Sequence, residues 1–371
     1  MNWSRREFLS HAALGGLALG VATSLPACSG QQNNKSKKLH LLILGGTAFL
    51  GPATVEAALD RGHRMTLFNR GKTNPHLFPE LEKLRGDRND DLKALHGRTW
   101  DAVIDTSGYL PRVVDLSAEL LANAVQQYVF LSTISVYQDY SIVGMDENAP
   151  VGKLPNESVE EIDSVTYGPL KALCEKAVEQ HLPSRTTIIR PGLIVGPRDH
   201  SDRFTYWPVR VNRGGEVLAP GTGKDFIQFI DVRDLGTWII HCIEQKVFGV
   251  YNADSSPGRL TMADFLSECK TVTGSDALFT WVDASFLEDH GVQPWHDMPV
   301  WVPAEGEYAG FGQVSTTKAQ NHGLMIRPVA DTIRDTLTWF QEQPEERQAK
   351  LRAGIAPERE QEVLAAWRDR G

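Results

Sequence analysis

The stretch Leu41-Leu42-Ile43-Leu44-Gly45-Gly46-Thr47-Ala48-Phe49-Leu50-Gly51 decides the fold of this chain. Its four apolar residues predict a buried parallel strand, and residues 52–61 predict a helix after a glycine-rich turn. Gly45 permits a tight turn, Gly46 lets the backbone approach a pyrophosphate, and Gly51 lets the helix pack closely on the sheet. The helix N-terminus adds unpaired N–H groups and a positive dipole end. The predicted cofactor contacts of this dinucleotide-binding start are Gly45, Gly46, Thr47, Phe49, Leu50 and Gly51.

Further apolar runs separated by polar turns predict an α/β protein with a Rossmann-type, doubly wound parallel sheet and a smaller C-terminal substrate lobe. The predicted strands are 64–68, 84–88, 100–105, 128–137 and 187–192, with one more at 279–282. The predicted helices include 116–124, 260–272 and 329–340. We expect a dinucleotide-binding domain over 39–195, a substrate lobe interleaved with returning core elements over 196–343, and a charged helix with a solvated face over 344–371.

The second strand ends in Asn69-Arg70-Gly71, where an NAD-specific fold often places an acidic residue on the ribose 2′-hydroxyl. Arg70 favours a 2′-phosphate instead, so the prediction is NAD or NADP with a lean to NADP. The alternatives are that Arg70 stacks on adenine or lies in solvent. Asp87 is placed to accept from the adenine amino group. The remaining predicted cofactor contacts are Asn69, Arg88, Thr106, Ser107, Gly108 and Pro191.

Tyr167 and Lys171 carry the predicted acid–base chemistry. Four residues apart, they share one helix face. A neighbouring ammonium and the positive charge of a nicotinamide favour the phenolate, so Tyr167 is predicted to act as a base near neutrality. Thr133, at the polar end of the fifth strand, is predicted to hydrogen-bond the same substrate oxygen. Pro169 is tolerated only in the first turn of a helix, so Tyr167 is expected at the helix entrance.

Four segments together resemble the NAD-dependent epimerase/dehydratase branch of the short-chain dehydrogenases. They are the turn at 45–51, Ser132-Thr133-Ile134-Ser135-Val136-Tyr137, Tyr167-Gly168-Pro169-Leu170-Lys171 and Arg190-Pro191-Gly192-Leu193-Ile194-Val195-Gly196-Pro197-Arg198. The resemblance extends from residue 39 to about 340, and the chain is also similar to a subgroup related to chloroplast stem-loop-binding proteins. It departs from the family pattern at Ala48, at Asn69-Arg70 and at Pro169.

The resemblance implies a tightly held NAD(P), a carbohydrate substrate, and Thr133, Tyr167 and Lys171 as the catalytic set. It implies transient oxidation of a hydroxyl, with Lys171 also orienting the ribose. A net dehydrogenase or reductase and a redox-assisted glycoside-cleaving enzyme are alternatives, and a non-catalytic binding protein on the same scaffold is an alternative of another class.

Charged and aromatic residues of the lobe suit a hydroxylated ring, which is held by hydrogen bonds and stacking. A packed loop and a sealed lobe are the competing interpretations for the segments around 202–207 and 294–303. The predicted substrate contacts are Tyr109, Ser135, Arg203, Tyr206, Trp207, Gln228, Trp295 and Trp301.

Residues 1–28 are predicted to be a targeting segment. Ser4-Arg5-Arg6-Glu7-Phe8-Leu9 is typical of the twin-arginine export route, and an apolar run follows. Leu25-Pro26-Ala27-Cys28 resembles a lipoprotein processing site, so Cys28 is the predicted lipidated residue and residues 29–38 a polar tether. Cleavage after Ala27 and an uncleaved anchor are the alternatives. The expected location is the periplasm or cell envelope, where no free nicotinamide pool exists, so the cofactor must be held tightly.

Composition narrows the partners further. A formal charge of −9 argues against a phosphate-backbone partner, so no nucleic acid is expected. We expect the protein to contact the membrane only through the lipid on Cys28. The twin-arginine export machinery is the one expected protein partner. The cysteines other than Cys28 form no disulfide or metal pattern, so no metal is predicted. The sequence leaves the oligomeric state open.

Replacing Cys28 tests the targeting prediction. Cys28→Ser removes the thiol that would carry the lipid, so we expect fatty-acid labelling in the native host to disappear and the protein to become soluble or remain unprocessed. Ser29→Ala is the matched control and should keep the label. An unmodified N-terminus at Cys28 in the native host would contradict the prediction.

Overall fold

The computed structural model describes residues 37–370, so the targeting segment, Cys28 and most of the tether lie outside the described residues. From Lys38 onward the chain forms one unit built on a sheet of seven parallel strands. The strands of this sheet are β1 (His40–Leu44), β2 (Arg64–Asn69), β3 (Glu82–Arg85), β4 (Ala102–Asp105), β5 (Gln127–Leu131), β6 (Thr186–Pro191) and, later in the chain, β10 (Gly249–Ala253). Their order is β10-β6-β5-β4-β1-β2-β3, which confirms the Rossmann-type prediction.

The helices are α1 (Leu50–Asp60), α2 (Pro111–Leu121), α3 (Tyr167–His181), α4 (Tyr206–Asn212), α5 (Val232–Glu244), α6 (Met262–Thr273), α7 (Ala284–Asp289), α8 (Thr317–Asn321), α9 (Val329–Gln341), α10 (Glu345–Gln348) and α11 (Pro357–Asp369). The shorter strands are β7 (Ile194–Val195), β8 (Glu216–Pro220), β9 (Ile230–Asp231) and β11 (Leu278–Val282). Strands β8 and β11 pair in parallel, as do β7 and β9. None of the described helices is both long and apolar enough to span a membrane.

Both faces of the central sheet are buried, which is why residues 41–44 of β1 are all apolar. Leu41 and Ile43 belong to the core that includes residues of α1 and α5. Leu42 and Leu44 belong to the core on the opposite face, with residues of α2 and α3. Side chains alternate across a strand, so a four-residue apolar run supplies two residues to each core.

The fifth predicted strand is shorter than 128–137. It ends at Leu131, and Ile134–Val136 forms a 3₁₀ turn because the Thr133 side chain accepts a hydrogen bond from the Ser135 backbone N–H. The helix predicted at 116–124 begins earlier, at Pro111, a residue favoured in the first turn. Strand β10 was not predicted.

The C-terminal segment is not one solvated helix over 344–371. Helices α10 and α11 are separate, and α11 buries Val363, Leu364 and Glu360 against the lobe. The Glu360 carboxylate accepts from Arg210 Nε at 2.7 Å and from the Leu218 backbone N–H at 3.0 Å. The high content of charged residues therefore did not predict the burial of α11, because the Glu360 carboxylate makes both of these contacts inside the fold.

A buried ion pair fixes α3 on the sheet. Arg190, in β6, donates from Nε and Nη2 to the two Glu175 carboxylate oxygens at 2.9 and 2.7 Å. The two side chains are only 6% and 7% exposed. Ser132 Oγ, just after β5, donates to the same carboxylate at 2.5 Å. Glu175 thus joins α3 to the ends of two strands.

Removing Glu175 should strongly destabilise the fold. Glu175→Ala leaves the Arg190 charge buried without its partner, which costs about 3–5 kcal/mol in the free energy of unfolding. Urea unfolding followed by circular dichroism measures the loss. The matched control is Glu160→Ala, which breaks a pair with Arg112 whose side chains are 46% and 49% exposed and should cost about 1 kcal/mol or less. Equal losses in the two variants would contradict this interpretation.

Candidate active site

The glycine-rich turn after β1 forms a cradle for an anion. Gly45 and Gly46 have φ of +114° and +89°, which L side chains rarely adopt. A Cβ on Gly51 would lie 2.5 Å from the Gly46 carbonyl carbon, so the start of α1 packs directly on the turn. The first turn of α1 has neither an acidic residue nor a side-chain cap. Its N–H groups are therefore available to a pyrophosphate, and the residues present fit a dinucleotide.

Three further residues of this turn were predicted to contact the cofactor, namely Thr47, Leu50 and Phe49. Thr47 is buried, and its carbonyl accepts from Asn74 Nδ2 at 2.9 Å. The Leu50 side chain belongs to the hydrophobic core, so only its backbone faces the cradle. Phe49 packs edge-on against His200.

The end of β2 is tied to the cradle by Asn69. Asn69 Nδ2 donates to the Gly45 carbonyl at 2.9 Å, and its Oδ1 accepts from Arg85 Nη1 at 2.6 Å. Arg70 is exposed and has no hydrogen bond or ion pair with residues 37–370. Arg85 was missed by the sequence analysis, because only the register β2–β3 places it opposite Asn69. Two arginines therefore lie where the adenosine ribose of a dinucleotide is expected.

The Arg88 guanidinium is occupied by contacts within the protein. Its guanidinium donates to both Asp105 oxygens at 2.6 and 2.7 Å and to Ser117 Oγ at 3.1 Å. Asp105 is fully buried and also accepts from Tyr128 at 2.8 Å. A buried carboxylate needs such partners, so the prediction for Arg88 is corrected to a structural role. Asp87 is half-buried, and its carboxylate accepts from the Asn89 backbone N–H at 3.1 Å.

The loop after β4 lies beside the cradle. The hydroxyls of Thr106 and Ser107 both donate to the Leu44 carbonyl at 3.1 Å. The Gly108 carbonyl accepts from Lys171 Nζ at 2.6 Å. Pro191 is buried at the end of β6, at the same edge of the sheet.

Helix α3 begins at Tyr167, which confirms the position inferred from Pro169. A Cβ on Gly168 would lie 1.9 Å from the Ser135 carbonyl oxygen, so this glycine lets α3 contact the turn that follows Thr133. The Thr133 hydroxyl donates to Ser135 Oγ at 3.1 Å, and Ser135 lines the same cavity as Tyr167. The structure therefore brings Thr133, Tyr167 and Ser135 together.

The charge state of Tyr167 differs from the expectation. Burial raises the pKa of the Tyr167 phenol, the neighbouring Tyr109 raises it further, and the Thr133 hydrogen bond and the Arg203 charge lower it in part. The Lys171 ammonium is directed at the backbone, where it donates to the carbonyls of Gly108 and Leu131 at 2.6 and 2.5 Å. It is not among the largest influences on the Tyr167 pKa. The lowering of that pKa by Lys171 and a nicotinamide stays a prediction.

Lys171 is itself only 3% exposed, and burial lowers its pKa to about 8. Nζ lies 4.3 Å from the centroid of the Phe130 ring and 5.4 Å from that of Tyr109. Two of its three donors are used by carbonyls. One remains for a ribose hydroxyl, so the predicted orienting role is compatible with the geometry.

A cavity of about 1350 Å³ opens beside Tyr167 between the sheet and the lobe. Four other predicted substrate contacts line it: Ser135, Arg203, Trp295 and Trp301. Trp301 is 1% exposed and donates from Nε1 to Asp225 at 2.7 Å, so it forms a fixed wall. Tyr109 is 49% exposed and lies beside Lys171.

Three predicted substrate contacts are instead structural. Trp207 is fully buried and donates from Nε1 to the Pro299 carbonyl at 2.6 Å. Tyr206 is 3% exposed and packs on Gly354. Gln228 donates to the carbonyls of Ser255 and Val314 and accepts from the Val314 N–H. The polar and aromatic composition of these segments did not distinguish lobe core from cavity wall.

Several aromatic residues of the cavity were missed. Phe311 contacts Tyr140, Trp295 and Tyr308 edge-on, with centroids 5.4, 5.2 and 6.3 Å apart. The signal was present in Gly306-Glu307-Tyr308-Ala309-Gly310-Phe311-Gly312, where glycines alternate with aromatic residues. A Cβ on Gly310 or Gly312 would lie 2.2 or 2.0 Å from a backbone oxygen of Ile142 or Phe226, so these glycines bring the aromatic loop onto the cavity.

Comparisons with known proteins agree with this geometry. The description "NAD dependent epimerase/dehydratase family" matches residues 41–253. A relative is the chloroplast stem-loop binding protein of 41 kDa b of Arabidopsis thaliana, 26% identical over 56% of this chain and 56% of its own length. The match thus spans just over half of that relative.

Solved structures share the fold. The Bordetella bronchiseptica enzyme WbmH in complex with NAD⁺ covers 82% of this chain and 99% of its own, with a TM-score of 0.59 and 15% identity. Human epimerase family protein SDR39U1 with NADPH covers 81% of this chain and 99% of its own, with a TM-score of 0.54 and 20% identity. With the family match over the cradle, Thr133, Tyr167 and Lys171, these findings establish that the chain belongs to the NAD-dependent epimerase/dehydratase family.

Proposed function

We propose that this protein is an exported, NAD(P)-dependent oxidoreductase that transiently oxidises a hydroxyl of a carbohydrate, as epimerases and dehydratases do. The observation that carries the proposal is the meeting of Thr133, Tyr167 and Lys171 at the edge of the sheet between the glycine cradle and the cavity. Export rests on the sequence of residues 1–28 alone.

The chain's own residues support a proton-transfer role. Tyr167 lines the cavity, and Thr133 lies close enough to lower the pKa of its phenol. In the oxidative direction Tyr167 takes the proton of the substrate hydroxyl, and in the reductive direction it returns that proton to the oxygen. Thr133 holds the same oxygen by a hydrogen bond. When bound, a nicotinamide supplies the hydride acceptor and donor.

Burial of Tyr167 favours the protonated phenol near neutrality, which is the form that donates a proton to a carbonyl oxygen. The Arg203 charge and the Thr133 hydrogen bond oppose that shift. The balance supports a redox-neutral cycle in which Tyr167 alternates between base and acid. It equally supports the net reductase alternative, in which only the acid step is used.

We further propose NADP as the preferred cofactor. Arg70 is exposed beside Asn69, and Arg85 is held against the same amide at 2.6 Å. Neither position offers a carboxylate for a ribose 2′-hydroxyl. A 2′-phosphate would receive charge-assisted hydrogen bonds from these guanidinium groups.

Replacing Tyr167 tests the chemistry. Tyr167→Phe removes only the hydroxyl, so turnover should fall by about 10²- to 10⁴-fold while the fold and the content of co-purified nucleotide stay unchanged. A panel of sugars and glycosides is screened first, with reduction of the bound nicotinamide followed by absorbance. Because the Tyr167 pKa is raised, the rate of the oxidative half-reaction should increase with pH into the alkaline range. Wild-type turnover in Tyr167→Phe would refute the mechanism, and bound nucleotide without turnover of any substrate would favour the non-catalytic alternative.

Replacing Arg70 tests the cofactor preference. Arg70→Ala should weaken NADP binding by about tenfold or more and NAD binding by much less, because only NADP carries the 2′-phosphate. Titration calorimetry on protein freed of nucleotide measures both affinities. Equal losses for the two cofactors would show that Arg70 contacts adenine or solvent instead.

A further inference from the structure

Arg203 is a cation without a direct ion pair inside the cavity beside Tyr167. It is half-buried and lines the cavity together with Tyr167. No carboxylate among residues 37–370 lies within ion-pair distance of its guanidinium. Its nearest polar contact is Ser201 Oγ, at 3.3 Å from Nε. A partly desolvated charge without a direct ion pair is costly, so its position in the cavity points to a ligand that supplies one.

The backbone on both sides holds this guanidinium in place. Asp202, immediately before Arg203, has φ of +61°, and Trp295 has φ of +64°. Both are left-handed conformations that cost energy for residues other than glycine and that persist where the surroundings enforce them. Asp202 is fully buried, paired with Arg347, and accepts from the Arg352 backbone N–H at 2.8 Å.

Trp295 forms the support on the other side. The Arg203 guanidinium lies 5.4 Å from the centroid of the Trp295 ring. The Trp295 N–H donates to the carbonyls of Met298 and Trp301 at 3.1 and 3.0 Å, which fixes the ring's backbone. An arginine stacked on a rigid ring keeps its edge free for a planar, bidentate partner.

No acidic residue pairs directly with Arg203. The two that line the cavity, Glu288 and Glu305, are exposed. The buried Asp199 acts on Arg203 through its charge, but its carboxylate accepts from the Ser201 N–H and hydroxyl at 2.8 and 2.9 Å. Lys153, the other cation lining the cavity, is exposed, so Arg203 is the half-buried cation of the lining.

We propose that Arg203 binds a carboxylate of the substrate, next to the hydroxyl or carbonyl on which Tyr167 acts. This rests on the oxidoreductase chemistry of the proposed function and specifies the substrate as a hydroxy- or oxo-carboxylate, whether a sugar acid or an aliphatic acid. Arg203 and Tyr167 line the same cavity, so one ligand there can contact both. A carboxylate in a hexuronic acid or in a 3-hydroxyalkanoate satisfies the same geometry.

The test compares each carboxylate with a neutral partner of the same skeleton. Glucuronate is paired with glucose, and 3-hydroxyoctanoate with its methyl ester. Binding to the nucleotide-loaded protein is measured by calorimetry, and turnover by absorbance of the nicotinamide. Wild-type protein should prefer at least one carboxylate over its neutral partner, and the pair that shows the preference identifies the source of the carboxylate.

Arg203→Gln should reduce that preference by about 10- to 100-fold, mainly through KM or Kd, because a charge-assisted hydrogen bond is lost. Arg203→Lys should restore part of it. Arg213→Gln is the matched control, since Arg213 is exposed on the same lobe and has no ion pair among the described residues. The control should keep the wild-type preference.

Three outcomes would overturn the inference. The first is a wild-type protein that prefers neither carboxylate. The second is a uniform loss of kcat in Arg203→Gln with a pH profile moved to higher pH, which would make Arg203 a positioning residue for Tyr167. The third is binding of UDP that depends on Arg203 while the carboxylate preference is unchanged, which would make it a phosphate contact. All three leave the Tyr167 test intact, so failure of this inference is distinct from failure of the proposed function.

Discussion

The Glu175–Arg190 ion pair is the interaction on which the candidate active site depends. It fastens α3 to β6, and Ser132 adds the end of β5 through the same carboxylate. Tyr167 and Lys171 lie on the first turns of that helix, and Thr133 follows Ser132 directly. One buried carboxylate therefore sets the distance between the residues predicted to share a substrate oxygen. Such a pair contributes geometry more than net stability, since desolvation offsets much of its attraction.

Burial also governs the electrostatics of the site. It raises the pKa of Tyr167 and lowers that of Lys171, so each group is moved toward its uncharged form. The carbonyls of Gly108 and Leu131 stabilise the ammonium by direct hydrogen bonds. Lys171 therefore links the loop after β4 to the end of β5. The charge of Arg203 acts on the Tyr167 phenol and lowers its pKa in part.

The cofactor half of the site could be predicted because its chemistry is encoded locally. The cradle at 45–51 and the start of α3 at Tyr167 follow from glycine and proline geometry within a few residues. The sequence did not indicate the structural role of Arg88, because its partner, Asp105, comes from another strand. Arg85 was missed for the same reason, since its place beside Asn69 is set by strand register.

The substrate half could not be predicted to the same depth, because long-range contacts build it. The composition of the lobe favoured Trp207, Tyr206 and Trp295 equally as substrate contacts. Of these three, only Trp295 lines the cavity, because other elements of the fold bury the rings of Trp207 and Tyr206. The orientation of Arg203 depends on Asp202, which is held by residues about 150 positions later in the chain. Since Arg347 and Arg352 contact Asp202, the C-terminal segment supports the cavity wall at Arg203, although it lies outside the family match. Changes there can alter the substrate while the cradle and Tyr167 stay the same, which is the arrangement expected where one fold serves many reactions.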